Sequence, residues 1–355
     1  MTGPSWVWSP DSGLPTIAVE LFELTKALVS IPSVTGHEGA CTEFVRSQLL
    51  ERGYYVELQP VSDGRSNVLA FHGAPEVVLS THLDTVPPFV PASEDDEFIY
   101  GRGSCDAKGI VASQMLAAER LWDEGVRDFG LLFLVGEETT SDGAQAANAD
   151  PRGSKYIVNG EPTGNKLVIA SKGNLRLDLS TEGRMAHSAY PHLGESAIEK
   201  LVDILADLRR LPVSQDPVLG ASTMNIGVIA GGRAANVIPD EARAEVLFRT
   251  VKDSTELRAQ IRELLEGRCK YDFVRDTPVL MMEKLDGYET DVVAFTTDLP
   301  SLTRWGRPSL LGPGSISVAH TDNERVRKAE LVRAVDLYCR LVRQLKTRLA
   351  TSSES

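Results

Sequence analysis

The sequence has few cysteines, and none of them lies in a pattern that predicts a disulfide framework or a sulfur-bound metal. Cys41, Cys105, Cys269 and Cys339 are far apart and form no Cys-x-x-Cys pair. We therefore expect a reduced, cytoplasmic chain. The N-terminus lacks a basic stretch followed by an apolar one, which argues against a signal peptide, and no apolar run is long enough to cross a membrane.

Positive charge is also scarce relative to negative charge. The chain has 37 Lys and Arg residues against 50 Asp and Glu residues, which gives a formal net charge of −13. This sign disfavours a nucleic-acid or anionic-membrane partner, but it does not indicate a basic substrate, because solubility alone explains it. With 355 residues, 42% of them hydrophobic, the chain is expected to be globular and is long enough for two domains.

The stretch at residues 79–88 carries the first candidate site residues. Residues 77–80 are typical of a short apolar strand, which delivers His82 and Asp84 to its carboxyl end. Because alternate side chains of an extended chain share a face, the imidazole and the carboxylate can enter one cleft. This pair suits a metal ligand with a neighbour that orients its ring.

Further acidic residues follow other predicted elements. Glu137 and Glu138 come after one buried strand, and Glu161 comes after the next strand. Asp106 precedes a predicted helix, where a carboxylate also serves as an ordinary helix cap. Alternating strands and helices imply an α/β sheet, in which functional groups gather at the carboxyl ends of the strands.

These candidate ligands combine imidazoles with carboxylates and include no sulfur. That donor set suits Zn²⁺, with Mn²⁺ or Co²⁺ as substitutes, and suits neither iron–sulfur clusters nor copper. A pair of metals that share one carboxylate would use five ligands and leave one glutamate free to accept a proton from water. The five candidates are His82, Asp106, either Glu137 or Glu138, Glu161 and His320.

The pattern of predicted elements changes in the middle of the chain. A strand, a helix, two strands and a helix follow one another there, and they can close as a separate small α+β layer. The predicted domains are therefore a metal-binding domain at residues 1–173 and 287–355 and an inserted domain at residues 174–286.

Eight short motifs occur in a fixed order along the chain. They are IPSV (31–34), STHLD (80–84), GRGSCDAKG (101–109), GEET (136–139), GEPT (160–163), AHS (186–188) with Pro191 and Gly194, Gly231-Gly232 with Asn236 and Pro239, and GPG (312–314) with HTDNE (320–324). Together they resemble the acetylornithine deacetylase / succinyl-diaminopimelate desuccinylase family of two-zinc amidohydrolases and exopeptidases, which has carboxypeptidase G-like relatives. The resemblance runs from about residue 17 to residue 349.

The resemblance implies an α/β fold class. The expected catalytic domain is zinc-exopeptidase-like, with a mixed sheet flanked by helices. The inserted domain is expected to be a small ferredoxin-like α+β domain that acts in dimerisation or as a lid, so that the protein is a homodimer through this domain.

The resemblance also implies two zinc ions and a role for each ligand. His82 and Glu161 would be the terminal ligands of one zinc ion. Glu138 and His320 would hold the other, and Asp106 would bridge the two.

Catalytic roles follow from the same resemblance. Asp84 would orient the first histidine ligand, and Glu137 would be the general base and then the acid that protonates the leaving amine. His187, in the inserted domain, would reach the active site of a partner subunit and stabilise the oxyanion. Cys105 departs from the motif and is expected to be a packed bystander.

The resemblance also implies contacts with the substrate. Asn236 and Arg249 match positions that contact substrate, and the planar guanidinium of Arg249 suits a carboxylate. The strand before Arg249 lacks an acidic residue that many relatives have two positions earlier, so Lys172 is the alternative contact for the carboxylate.

The predicted function is removal of an acyl group from an N-acyl amino acid by attack of a zinc-bridging water. The acetylornithine and acetylcitrulline deacetylases and the carrier-linked lysine- or ornithine-releasing hydrolases are the favoured models. The alternatives are a succinyl-diaminopimelate desuccinylase and a di- or carboxypeptidase that acts on a short peptide with the same metals. An inactive binding protein on the same fold is the non-enzyme alternative, and the presence of every ligand argues against it.

Overall fold

The computed structural model describes residues 16–352 of the chain, and these divide into two compact units. The first unit comprises the described residues up to Ile169 together with Met282–Asp291 and the described residues from Thr297 onward. The second unit comprises Ala170–Met281 and Val292–Thr296. The predicted boundaries at 173/174 and 286/287 stay predictions, and residues 1–15 of the predicted first domain lie outside the described residues.

Seven α-helices and two short 3₁₀ helices are present in the described residues. The α-helices are α1 (Thr16–Val29), α2 (Gly39–Glu51), α3 (Lys108–Asp123), α4 (Asp142–Ala149), α5 (Ala197–Leu208), α6 (Thr255–Leu265) and α7 (Lys328–Ser352), and the 3₁₀ helices are Pro191–Leu193 and Leu299–Ser301. No helix in this part of the chain is both long and apolar enough to span a membrane.

The strands of the described residues range from two to ten residues. They are β1 (Tyr55–Ser62), β2 (Arg65–His72), β3 (Val77–His82), β4 (Ser93–Glu94), β5 (Phe98–Tyr100), β6 (Phe129–Leu134), β7 (Tyr156–Asn159), β8 (Leu167–Ser171), β9 (Gly173–Glu182), β10 (Ala186–His187), β11 (Gln215–Asp216), β12 (Gly220–Ala221), β13 (Thr223–Gly231), β14 (Val237–Ile238), β15 (Glu241–Thr250), β16 (Lys270–Thr277), β17 (Leu280–Met281), β18 (Thr290–Val293), β19 (Arg307–Leu310) and β20 (Arg325–Arg327).

The first unit is built around a mixed sheet with the strand order β1-β2-β6-β3-β7-β19-β8. Strands β6, β3, β7 and β19 are parallel neighbours, whereas the outer pairs are antiparallel. All residues of β3, β6 and β7 are buried, as expected for parallel strands covered by helices on both faces. The carboxyl ends of these parallel strands therefore meet at one edge of the sheet.

The second unit contains a four-stranded antiparallel sheet in the order β13-β15-β9-β16. On β15 the residues Ala242, Ala244, Val246 and Phe248 are buried, and they pack with α5 and α6 in one apolar cluster. The chain order β9-α5-β13-β15-α6-β16 is the ferredoxin-like arrangement. Strand β16 was not part of the predicted series of elements, which ended at the second helix.

Helix α4 follows the turn that carries Glu137 and Glu138. Four of its eight residues are alanines, and its buried residues are the small Gly143, Ala144 and Ala147. Asp142 begins this helix and pairs with Arg65, whose guanidinium also makes two hydrogen bonds to the buried carboxylate of Glu38. Helix α4 is thus tied to the amino-terminal end of α2 through one arginine.

Candidate metal centre

The parallel register of β3 and β7 brings His82 and Glu161 together. Ser80 pairs with Asn159 in this register, and the same offset sets His82 opposite Glu161. Two hydrogen bonds continue the pairing past the end of β7, since Gly160 N donates to the Ser80 carbonyl at 2.7 Å and Thr81 Oγ1 donates to the Gly160 carbonyl at 2.8 Å. Both candidate ligands are buried.

Glu137 and Glu138 lie in the turn between β6 and α4. Gly136 begins this turn with a φ angle of 79°, and a Cβ atom there would overlap the Asp142 carboxylate, so only glycine fits. The carboxylate of Asp84 accepts hydrogen bonds from the backbone N–H groups of Glu137 and Glu138, each at 3.1 Å. Asp84 therefore orients the turn that carries both glutamates.

His82 faces Asp106 across the cleft. Its Nδ1 donates to the backbone carbonyl of Asp84 at 2.9 Å and lies 3.5 Å from the Asp84 carboxylate. Nε2 is thereby directed toward Asp106, with 2.9 Å between Nε2 and Oδ1. A histidine that donates through one ring nitrogen and presents the other is typical of a metal ligand.

His320 completes the group from a distant part of the sequence. Its Nε2 lies 3.4 Å from Oδ2 of Asp106 and 3.0 Å from the carboxylate of Glu138. Its φ angle of 62° is uncommon for a residue other than glycine, and such conformations concentrate at functional sites. The side chain of His320 is 48% exposed, so this side of the cleft is open to solvent.

The electrostatics of the cleft reflect the close packing of acids and imidazoles. Burial raises the pKa of Glu137 and of Glu161 well above the usual range of a glutamate, and the neighbouring carboxylates raise it further. Burial would also raise the pKa of Asp106, but hydrogen bonds with His320 and His82 hold it below its usual value. Hydrogen bonds with Asp106 and Glu138 raise the pKa of His320 to about 10.

The donor set fits divalent metal ions. Ligand atoms of His82, Asp106 and Glu138 all lie within 4.8 Å of one another. Within the described part of the chain, Oε1 of Glu161 is buried and has no hydrogen-bond partner, so it retains a free acceptor for a cation. Imidazoles and carboxylates are ligands that Zn²⁺ accepts, which makes zinc the simplest occupant. The individual ligand roles stay predictions.

The predicted substrate residues lie in the second unit. His187 and Asn236 are exposed neighbours there, because β10 pairs with β14 and Ser188 N donates to the Asn236 carbonyl at 3.0 Å. Arg249 pairs in register with Asn174, and its Nη1 is buried without a hydrogen-bond partner among the described residues. Lys172 donates from Nζ to the Ala221 carbonyl at 2.5 Å.

Three polar residues at the site were not predicted from the sequence, and two of them, Asp298 and Glu324, are buried. Thr35 Oγ1 donates to Asp84 at 2.7 Å, Asp298 has a fully buried carboxyl group, and Glu324 accepts hydrogen bonds from the loop of Asp106. Burial raises the pKa of Asp298 to about 7. Thr35 directly follows the first motif and Glu324 ends the last one, so motif context was the only available signal for them.

Comparison with known proteins adds a family match. A model described as "Peptidase family M20/M25/M40" matches residues 78–344. The chain is 40% identical over 338 residues to a peptidase M20 domain-containing protein of Schizosaccharomyces pombe, a match that covers 91% of this chain and 84% of that protein. It is 38% identical over 384 residues to a protein of Neosartorya fischeri named "Probable carboxypeptidase", with 92% of this chain and 86% of that protein covered.

Two solved structures show the same fold. A tripeptidase from Staphylococcus aureus matches with a TM-score of 0.78 at 20% identity, and the match covers 91% of this chain and 97% of that chain. A dinuclear metal-binding M20 peptidase from Bacillus subtilis matches with a TM-score of 0.69 at 16% identity, with 91% and 96% covered. The predicted α/β fold with a mixed sheet flanked by helices is thereby confirmed.

Substitution of Asp106 tests whether the cleft binds metal. In Asp106→Asn the two imidazoles lose the charged group between them, so we expect the affinity for Zn²⁺ to fall by about 100-fold or more. Competition with a chromophoric chelator measures this affinity. Cys105→Ser is the matched control, because this buried neighbour donates only a weak hydrogen bond from Sγ to the Ser315 carbonyl at 3.5 Å. Equal zinc affinity in both variants would contradict the assignment.

Proposed function

The chain belongs to peptidase family M20/M25/M40, and we propose that it is a metal-dependent exopeptidase that releases a C-terminal amino acid with a free carboxylate. It is a hydrolase that acts on amide bonds, as the family match and the carboxypeptidase-named relatives establish. The observation that carries the proposal is the convergence of His82, Asp106, Glu138 and His320 on one small volume of the cleft.

The proposed metal site holds two divalent ions. His82 and Glu161 would hold one ion, Glu138 and His320 would hold the other, and Asp106 would contact both. The Bacillus subtilis peptidase with the same fold is described as a dinuclear metal-binding protein, which supports this number. When bound, zinc ions would lower the pKa of water and polarise a carbonyl oxygen, and cobalt or manganese could substitute for zinc.

Glu137 is the proposed general base. It lies beside the ligand Glu138 in the turn that Asp84 orients, and it is not needed as a ligand. Its carboxylate would accept the proton of the attacking water and then donate it to the leaving amine, so that one side chain serves both steps. As the family resemblance implies, His187 would reach the active site of a partner subunit and stabilise the oxyanion of the tetrahedral intermediate there.

Arg249 is the proposed contact of the substrate carboxylate. A buried guanidinium nitrogen without a hydrogen-bond partner retains a donor that a carboxylate satisfies with good geometry. Asn236, an exposed residue next to His187, would contribute an amide, and Lys172 is the alternative cation. A free carboxylate next to the scissile bond is common to C-terminal peptide residues and N-acyl amino acids.

The N-acyl amino acid deacylases are therefore the second candidate, and a substrate panel separates the two. We expect amino-acid release from short peptides to exceed acetate or succinate release from N-acetyl and N-succinyl amino acids in kcat/KM, measured with added zinc or cobalt. C-terminally amidated peptides lose the carboxylate contact and should be cleaved about 10- to 100-fold less well. Faster deacylation would favour the second candidate, and absence of any amide hydrolysis would contradict both.

Exchange of the proposed base tests the mechanism. Glu137→Gln keeps the size of the side chain but cannot accept a proton, so we expect kcat to fall by about 10²–10⁴-fold. Zinc content should stay at the wild-type value, because this residue is not a proposed ligand. Glu119→Gln removes a carboxylate that pairs with Arg52 and should keep the wild-type rate. A Glu137→Gln protein that hydrolyses peptides at the wild-type rate would refute the assignment.

We also propose that the protein acts in a reducing compartment such as the cytoplasm. Its four cysteines are free in the structure, and three of them are buried. Free thiols persist where glutathione and thioredoxin keep them reduced.

A homodimer through the second unit is the proposed assembly. Strand β13 is an edge of the four-stranded sheet, and Val228 and Ile229 on it are 41% and 56% exposed. Such an apolar edge favours pairing with another chain, and two copies of the same edge are self-complementary in a twofold arrangement.

Charge placed on this edge tests the dimer. We expect Ile229→Glu to be monomeric in analytical ultracentrifugation at concentrations where the wild-type protein is dimeric. Val274→Glu is the control, because Val274 lies on β16, the other edge of the same sheet, and is 50% exposed. Dissociation by Val274→Glu alone, or a monomeric wild-type protein, would refute the proposed interface.

A further inference from the structure

The carboxylate of Glu324 is buried against the loop that presents Asp106. Glu324 is only 3% exposed. Its Oε1 accepts hydrogen bonds from the backbone N–H groups of Gly103, Cys105 and Asp106 at 2.9, 3.2 and 3.1 Å. A carboxylate that accepts three backbone N–H groups fixes the dihedral angles of the loop and thereby the direction of the Asp106 side chain.

Arg102 neutralises Glu324 and binds the segment of His320 at the same time. Its Nη1 donates to Oε2 of Glu324 at 2.7 Å and to the backbone carbonyl of Thr321 at 3.2 Å. Arg102 is itself only 2% exposed, so the ion pair is shielded from water. The backbone of Glu324 contributes too, because its carbonyl accepts from Gly101 N at 3.1 Å.

These contacts join the two loops that carry Asp106 and His320. One loop spans residues 101–106 and the other spans residues 320–324. Asp106 lies 2.9 Å from Nε2 of His82 and 3.4 Å from Nε2 of His320. Both distances therefore depend on Glu324, which holds the two loops together. A buried charge with this many polar contacts is costly to disturb.

We propose that Glu324 is a positioning residue that sets the separation of Asp106 and His320 and thereby the affinity for the metal ion that the two side chains would share. The inference rests on the proposed function, because it assumes that these residues bind metal. It adds a residue that is neither a proposed ligand nor the proposed general base. Groups that orient metal ligands from behind in this way typically contribute about 10- to 100-fold in affinity.

The test compares metal affinity in Glu324→Gln and in the wild-type protein. Glutamine keeps the size of the side chain, but it loses the charge that Arg102 neutralises, and its NH₂ group must face either Arg102 or the backbone donors. We expect the Kd for Zn²⁺ or Co²⁺ to rise by about 10- to 100-fold. Hydrolysis should be lost at low metal concentration and recovered at high metal concentration, and the visible spectrum of the Co²⁺-loaded protein should change. A purely structural role would lower stability without this metal rescue.

Glu283→Gln is the matched control. Glu283 also accepts hydrogen bonds from arginines of the first unit, Arg348 of α7 at 2.8 Å and Arg307 of β19 at 3.3 Å. This variant should bind metal with the wild-type Kd. Arg102→Lys provides a second variant for the case that Glu324→Gln does not fold, since it keeps the positive charge but loses the planar group that binds both Glu324 and Thr321.

The outcomes separate the two proposals. A folded Glu324→Gln protein whose Kd is within about twofold of the wild-type value would refute the positioning role. If Glu324→Gln does not fold, an unchanged Kd in Arg102→Lys would refute it in the same way. A wild-type protein that binds no divalent metal would instead refute the proposed function on which this inference rests.

Discussion

Mutual repulsion among buried carboxylates is the constraint on which this site depends. The ligand atoms of His82, Asp106 and Glu138 lie within 4.8 Å of one another, and the half-buried Glu137 and the buried Glu161 lie beside them. At such distances two like charges repel by about 3–4 kcal/mol even with an effective dielectric constant of about 20. The two imidazoles offset part of this repulsion, and divalent cations would offset the remainder. The scaffold must therefore hold these groups together against a force that separates them.

Each segment that carries a candidate ligand is held in place by backbone or side-chain hydrogen bonds, which counteract the repulsion among the carboxylates. The parallel strands β3 and β7 fix His82 and Glu161 through their backbone register, whereas the remaining ligands lie on loops. Side-chain carboxylates hold these loops, since Asp84 binds the turn of the two glutamates and Glu324 binds the loop of Asp106. Strand pairing thus positions one part of the site, and backbone hydrogen bonds that buried carboxylates accept position the other part.

The sequence predicted the elements whose signals are local. Buried apolar strands that end in an imidazole or a carboxylate indicated an α/β sheet with polar groups at one edge, and that fold class is confirmed. The prediction that His320 lies near Asp106 rested only on the family resemblance, because no local pattern links residues so far apart in the chain. Strand β16 was missed because it is a largely exposed edge strand in which polar residues predominate. Thr35 and Glu324 were missed as anchors because their function lies in contacts that only the folded chain creates.

Some candidate ligands are positioned by paired strands and others by loops, and this difference affects how the site can change during evolution. Each loop-borne ligand is tethered by a few side-chain contacts that are separable from the sheet, as the pairing of Arg65 with Asp142 and Glu38 illustrates beside the glutamate turn. A substitution in a tether can shift a ligand by fractions of an ångström while the hydrogen-bond ladders of β3, β6 and β7 are unchanged. Substitutions in residues that do not contact a substrate can thus change the geometry of the site, while the fold of the domain stays the same.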